Sequence, residues 1–423
     1  MDYDERNLRQ AYLFSMKKLK KNTILSITDG SIFAISSGML STGTVIIYFI
    51  SHYVHSKTMI GFLTTINVLL ANSAQIFVTK KLEDLEKYKK SLIKYAILMR
   101  LTWFLLAVDI FLFAEKNNWL FVVLFYTIFS LQGLCTAFTS ITWFNLILKL
   151  VPEKYRSRFF GIRSTCGGIF ETLGAYLMGI ILKSFGYPLN YAILFLTAFI
   201  IMMISLSFVS LLDEPPLKKP KKQVDNKEYF KNMFMILKED KNFTRYLLSV
   251  ALIAGFGKMP FAFQTIFAKD KLGIGTQEVA NATTILLLSQ TFGYMIWGIV
   301  GTKKGFKATL VFSAIIFIPA IILTYFMKSV FIYYISISLF GIAQSARNVN
   351  ESNLAANLCR DPLKQPSYIG LRNFLMGPFF AFNAMIAGFI IDVFSVQILF
   401  IISIISMISG FLILSFWVKE YRV

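Results

Sequence analysis

Charge is scarce in this chain of 423 residues. Asp, Glu, Lys and Arg make up 16% of it, whereas roughly a quarter of a soluble domain is charged, and 56% of the residues are hydrophobic. That shortage excludes an ordinary water-facing fold, and no soluble core of this size needs 43 Phe. Histidine is scarcer still, with only His52 and His55. Their i, i+3 spacing lacks a third ligand, so no metal is expected. The three cysteines, Cys135, Cys166 and Cys359, fit no metal spacing and imply no disulfide framework. Catalytic signatures are missing too: no Gly-x-Ser-x-Gly, no His-Glu-x-x-His, no Gly-x-Gly-x-x-Gly and no phosphate loop. An enzyme is not expected, nor a cofactor, nor built-in ATP hydrolysis. The first 23 residues are polar and basic, without the short apolar core of a cleavable signal.

Long apolar runs are what the chain does have. A spanning helix takes about 20 mostly apolar residues, and twelve such runs are legible. They are 24–50, 58–79, 92–113, 119–148, 157–184, 191–212, 243–268, 278–301, 308–327, 331–358, 367–393 and 396–418. The net charge of +20 sits in the gaps between them. With the N-terminus inside, 34 of the 43 Lys and Arg fall on the cytoplasmic side and 6 on the other, with three inside spans. Such asymmetry is what fixes the orientation of a membrane protein. It argues against nucleic acid as the partner of the basic residues. It predicts a multi-pass protein of the cytoplasmic membrane with both termini cytoplasmic.

The longest polar gap divides the chain. The expected organisation is a cytoplasmic segment 1–23, a six-helix bundle 24–212, a cytoplasmic loop 213–242, a second bundle 243–418 and a tail 419–423. The loop opens Asp213-Glu214-Pro215-Pro216 and runs Lys- and Pro-rich to Lys222, a composition that stays extended. An amphipathic stretch, 227–240, follows and suits the anionic inner leaflet.

The two bundles repeat. A shift of 209 residues lays Gly161-Ile162-Arg163 on Gly370-Leu371-Arg372, Gly168 on Gly377, and Gly179 on Gly388. Six helices is an even number, so the repeats are parallel. The fold expected is all-α, twelve transmembrane helices in two parallel six-helix repeats.

Ionisable groups inside spans are costly and face a cavity or a partner. Glu171, Lys258 and Arg347 lie near mid-depth in helices five, seven and ten, and Glu351 is one turn from Arg347. These four are read as a substrate or coupling-ion site, with Glu171 or Glu351 a proton carrier. Static charge pairs explain the same residues. Asp29 and Arg100, in the inner third of helices one and three, suit a mutual pair, whereas Asp109 and Asp392 sit near the outer ends, within reach of water. Asn350 belongs to an unusually polar tenth helix. Gln132 and Trp143 give the fourth helix a milder polar face, fitting a sugar or other polar solute, or plain helix packing. Gly255, Gly257 and Pro260 interrupt the seventh helix around Lys258.

Twelve spans, a six-plus-six division, a basic central loop and inward termini resemble the major facilitator superfamily. Its cytoplasmic loop motif of Gly-x-x-x-Asp-Arg-x-Gly-Arg-Lys character is similar to Gly298-Ile299-Val300-Gly301-Thr302-Lys303-Lys304-Gly305-Phe306-Lys307. Thr302 replaces the Asp, and the first copy, Thr79–Lys90, lacks the glycines. The fourth-helix Arg of proton-coupled members and the fifth-helix Gly-Pro of drug antiporters are absent. The resemblance implies a permease working by alternating access as a monomer, with a small organic solute, a coupling proton or sodium ion and membrane lipids as partners. A multidrug/proton antiporter, a lipid-handling membrane protein and a transporter-derived sensor are the alternatives. The gating loop implied is Gly298, Gly301, Lys303, Gly305 and Lys307.

Overall fold

The structure, a computed structural model, describes residues 2–83, 87–116, 118–215, 235–359 and 365–420. Among these there is no strand. Twelve long helical segments follow one another. They are α1 (Asp2–Met39, resumed as Thr42–Ile46 and Ile47–Ile50), α2 (Lys57–Glu83), α3 (Lys89–Phe113), α4 (Asn118–Leu150), α5 (Glu153–Ser184) and α6 (Leu189–Ser210). The second set is α7 (Lys241–Leu272), α8 (Thr276–Lys304), α9 (Phe306–Tyr325), α10 (Val330–Asn357), α11 (Gln365–Val393) and α12 (Val396–Leu412, extended by Ile413–Trp417). Eleven are long and apolar enough to cross a membrane, and α2 is apolar over Lys57–Ala71. Phe111, Phe331 and Phe416 are 67%, 71% and 73% exposed. Rings this open need a lipid partner, since water-facing surfaces do not carry such patches.

Most ends fall within a few residues of the sequence expectation, because the signals there are local. Asp240 caps α7 by accepting from the Phe243 amide at 2.9 Å, while Ser329 and Ser395 cap α10 and α12. Gly273 closes α7 at φ +64°, in the left-handed region. The N-terminus departs from expectation, since α1 is helical from Asp2 through the polar leader. Of the amphipathic stretch 227–240, residues 227–234 lie outside those described, and 235–239 are helical.

The helices form two compact units. Unit 1 is Met1–Leu40, Leu70–Ile181 and Phe185–Lys222; unit 2 is Ser41–Leu69, Leu182–Ser184 and Gln223–Val423. In unit 1, α3 packs between α4 and α6, and α1 lies on α6. Unit 2 repeats the plan, with α9 between α10 and α12, and α7 on α12.

The repetition reaches single hydrogen bonds. Asn22 exchanges two bonds with the backbone of Asp213, each 2.9 Å. Asn242 exchanges two with Lys419, each 2.8 Å. The next residue in each unit is a glutamate that caps a helix. Glu214 accepts the Tyr88 and Lys89 amides at 2.7 and 2.8 Å, at the start of α3. Glu420 accepts the Phe306 and Lys307 amides at 2.8 and 3.2 Å, at the start of α9. Lys89 and Lys307 then donate to carbonyls at the ends of α6 and α12. A carboxylate on the free amides of a helix start contributes about 1 kcal/mol. Both units thus tie their first, third and sixth helices together at the basic end.

Ser41–Leu69 precedes the first bundle's remaining helices in sequence yet packs into unit 2. There α2 and α11 meet at glycines. A Cβ on Gly61 would strike the Ala384 carbonyl, and one on Gly388 the Lys57 carbonyl. Helix backbones this close need a residue without a side chain. In unit 1, Gly38 and Gly174 bring α1 and α5 together the same way.

Candidate functional site

Each unit encloses a cavity lined by charge. The cavity in unit 1 is about 220 Å³ and is bounded by Asp29, Arg100, Trp143 and Arg163, with Phe33 and Thr139 between them. Asp29 and Arg100 share this space but form no direct ion pair, contrary to the sequence expectation. The Ser205 hydroxyl donates to Asp29 Oδ1 at 2.6 Å. Arg100 donates from Nε to the Met202 carbonyl at 2.8 Å and from Nη1 to the Ala96 carbonyl at 3.1 Å. Backbone carbonyls of its own helix and of α6 are nearer than α1, so they take the guanidinium. Arg163 reaches in from α5, its guanidinium 4.2 Å over the Trp143 ring. A Cβ on Gly30 would fall 2.6 Å from Arg163 Nε, so α1 leaves the space that admits it.

The cavity in unit 2 is about 260 Å³ and holds Lys258. Here α7 is interrupted. A π-helical stretch, Ala251–Gly257, gives way at Lys258 to a 3₁₀ turn, Met259–Phe263. Wide and tight turns in succession break the regular ladder and turn Lys258 into the space. Phe261 and Phe340, 4.2 Å between ring centroids, form part of the wall.

Arg347 and Glu351, one turn apart on α10, are paired, and Arg347 is 2% exposed. The second oxygen of Glu351 is held by Arg372 of α11. The sequence places Arg372 at the inner end of the span 367–393, among the cytoplasmic charges. The helix α11 begins at Gln365, which carries Arg372 two turns in, to the level of Glu351. The Tyr246 hydroxyl, from α7, donates to the Glu351 carbonyl at 2.5 Å. Both Glu351 oxygens are thus engaged by arginines.

The other expected site residues spread out. Asn350 donates to the Trp297 carbonyl at 3.3 Å and abuts Gly301, so it joins α10 to α8 rather than lining the cavity. Gln132 bonds to Thr136 along its own helix at 3.0 Å and lines neither cavity. Glu171 also lines neither, lies on α5 against α1 near Gly38, and has no ion pair among the described residues. Asp109, expected within reach of water, is 2% exposed, and neither carboxylate oxygen has a partner among the described residues. Gly305 sits at φ +89° between α8 and α9, a conformation that favours glycine. Lys307 is engaged with α12, whereas Gly298 and Lys303 lie on the last two turns of α8.

Arg163 and Arg372 were missed as site residues. Their signal was present as the Gly-x-Arg shared by both halves, which put one arginine at the same level of α5 and α11.

Twelve apolar helices in two like-folded units, each with a charged cavity in its interior, are the build of a multi-pass membrane carrier. The chain belongs to the Major Facilitator Superfamily, whose family model matches residues 30–274 and 246–422. Among solved structures it is similar to a single-residue mutant of the nucleoside transporter NupG, at 13% identity and TM-score 0.74, covering 93% of this chain and 98% of that one. It is similar to a D-xylose–proton symporter at 12% identity and TM-score 0.70, covering 97% and 98%. A bacterial homologue of the human lysosomal transporter Spinster, inward-facing and unoccupied, matches at 15% identity and TM-score 0.62, covering 95% of each. At such identities the likeness shows the fold. No curated protein sequence matches.

Proposed function

We propose that this protein is a secondary active transporter that moves a small polar organic solute across the cytoplasmic membrane by alternating access, driven by a proton or sodium gradient. The observation that carries the reading is the cavity at Lys258, where α7 loses its regular helix inside a membrane bundle. Buried charge and broken helix both cost stability, and a binding site that must open and close accounts for both. The asymmetry of Lys and Arg supports cytoplasmic termini. Packing of Ser41–Leu69 against α11 within unit 2, at the end away from the basic loops, supports a part for this contact in an outer gate.

Glu171 and Asp109 are the coupling candidates, since both are carboxylates inside spans without an ion pair among the described residues. Proteoliposome uptake under imposed proton or sodium gradients tests the reading. Glu171→Gln is expected to abolish gradient-driven uptake and to spare solute exchange at equal gradients. Lys258→Ala and Arg347→Ala are expected to abolish both. Full activity in all three variants would remove the cavity assignment.

A further inference from the structure

We infer that the unit 2 cavity takes its solute by an anionic group, a carboxylate or a phosphate, held by Lys258, with an apolar or aromatic body against Phe261, Phe340 and Phe380. This rests on reading that cavity as the solute site and narrows the solute's class.

Charge balance is the first argument. In the interior of unit 2 the described cations are Lys258, Arg347 and Arg372, and the anion near them is Glu351. Its two oxygens are taken by the two arginines. Asp392 is engaged at the far end of α11 by the start of α2, and Asp270 by Lys57. Lys258 Nζ has a neutral partner instead, the Gln344 Oε1 at 2.8 Å. Gln344 Nε2 donates to Asn348 Oδ1 at 2.8 Å, which holds the amide with its oxygen toward the lysine. A half-buried ammonium with no carboxylate is stabilised by an incoming anion.

Hydrogen-bond supply is the second. Most of the neutral polar donors of the wall are engaged within the protein. Gln264 Nε2 donates to Thr324 and Ser336, Asn383 Nδ2 gives one of its two hydrogens to the Gly255 carbonyl, and Thr44 Oγ1 donates to Ser41. Thr265 Oγ1 is bonded to the Tyr333 hydroxyl. An ammonium has three donors and Lys258 uses one on Gln344. Acceptor oxygens of a solute therefore find most of their donors at one point, the lysine. A sugar, with hydroxyls all round, meets too few. The aromatic remainder of the wall suits an apolar body. At about 260 Å³ the space is small for a ligand pocket, just below the roughly 300–1,000 Å³ range, so the solute is compact.

The test is binding, measured on the purified full-length protein by thermal shift and calorimetric titration. The probes are benzoate, phenyl phosphate, neutral benzamide of nearly the shape of benzoate, and D-glucose. Benzoate or phenyl phosphate is expected to bind at least about 10-fold tighter than benzamide, a ratio set by one charge-assisted contact, and which of the two wins names the anionic group. Lys258→Gln is expected to erase the difference and Lys258→Arg to keep it. Gln344→Glu, which gives Lys258 an internal carboxylate and leaves the lysine in place, is expected to weaken the anions by a similar factor. Equal binding of benzoate and benzamide, binding of glucose alone, no binding of any probe, or anion binding unchanged in both Lys258→Gln and Gln344→Glu would overturn the proposal. If a neutral solute is instead taken up by proteoliposomes under a gradient, the transporter reading stands and the anionic class falls.

Discussion

Asp392, at the end of α11, caps the start of α2: its Oδ2 accepts from the Thr58 amide at 2.8 Å and from the Thr58 hydroxyl at 2.7 Å. Oδ1 takes the Lys57 amide at 3.1 Å, and Ser56 adds a further hydroxyl at 2.8 Å. Helix starts offer free amides and a positive dipole end, which a carboxylate satisfies. One acidic side chain thus joins a helix of the first repeat to a helix of the second.

Loss of that charge is expected to loosen the join. Asp392→Asn removes the charge from the helix start, at a cost of about 1 kcal/mol, or about fivefold in population. In a cysteine-free background carrying Thr44→Cys, an impermeant maleimide added outside is expected to label severalfold faster in the Asp392→Asn variant. An unchanged rate would mean that Asp392 does not hold the gate.

The two glutamate caps of the basic end are expected to differ in weight. Glu214 also pairs with Lys149 at 2.7 Å, and their side chains are 2% and 9% exposed. Glu214→Gln leaves Lys149 buried without its anion and is expected to cost about 3 kcal/mol, as broken buried pairs do. Glu420→Gln loses a cap alone, about 1 kcal/mol. Thermal melting in detergent is expected to fall clearly further for Glu214→Gln. Equal losses would show that the lysine finds another partner.

Within the α10–α11 cluster, the carboxylate is the critical member. Glu351→Gln leaves Arg347 and Arg372 facing each other, and is expected to be the most damaging single change, at about 3–5 kcal/mol. Arg372→Gln leaves a one-to-one pair and is expected to cost less. A Glu351→Gln/Arg347→Gln double variant is expected to recover part of the melting temperature lost by Glu351→Gln. A strictly additive loss would mean that the three do not act as a unit.

His52 gives a pH dependence outside the spans. Its ring packs edge-on to Tyr48, with Nδ1 on the Tyr48 carbonyl at 3.0 Å. Desolvation, and then the charge of Lys269, lower its pKa below the ordinary histidine value. The folded state therefore disfavours the charged ring. Its contribution is whole above the ordinary value of 6.5 and shrinks as pH falls from there toward the lowered one. His52→Gln is expected to flatten the slope of melting temperature between about pH 7 and 5 by a small amount. A slope identical to the parent would exclude the histidine as its source.

The twelve helices and their order were legible in the sequence because each rests on local physics, whereas the packing of Ser41–Leu69 into unit 2 was not. Apolar length fixes a span, serines and Asp240 fix helix starts, and the gaps fix where the basic residues go. The interruption at Lys258 was legible for the same reason, since Gly255, Gly257 and Pro260 weaken the helix wherever it packs. Pairing was not legible. Sequence spacing joined Arg347 to Glu351 along one helix face, but it could not bring Arg372 to the same carboxylate from another helix, nor part Asp29 from Arg100. It assigned Asn350 and Gln132 to a site, whereas packing spends them between and along helices. Nor could it find that Glu214 and Glu420 do the same work, because their matching targets lie over 100 residues away. By itself the sequence determined that the chain crosses a membrane many times, since lipid tests each helix one at a time. Tertiary structure alone decided which charges share a partner and which are left over, because a counter-ion is chosen by distance across the bundle. Among the described residues of unit 2, the one left over in the interior is Lys258, as Glu171 and Asp109 are in unit 1.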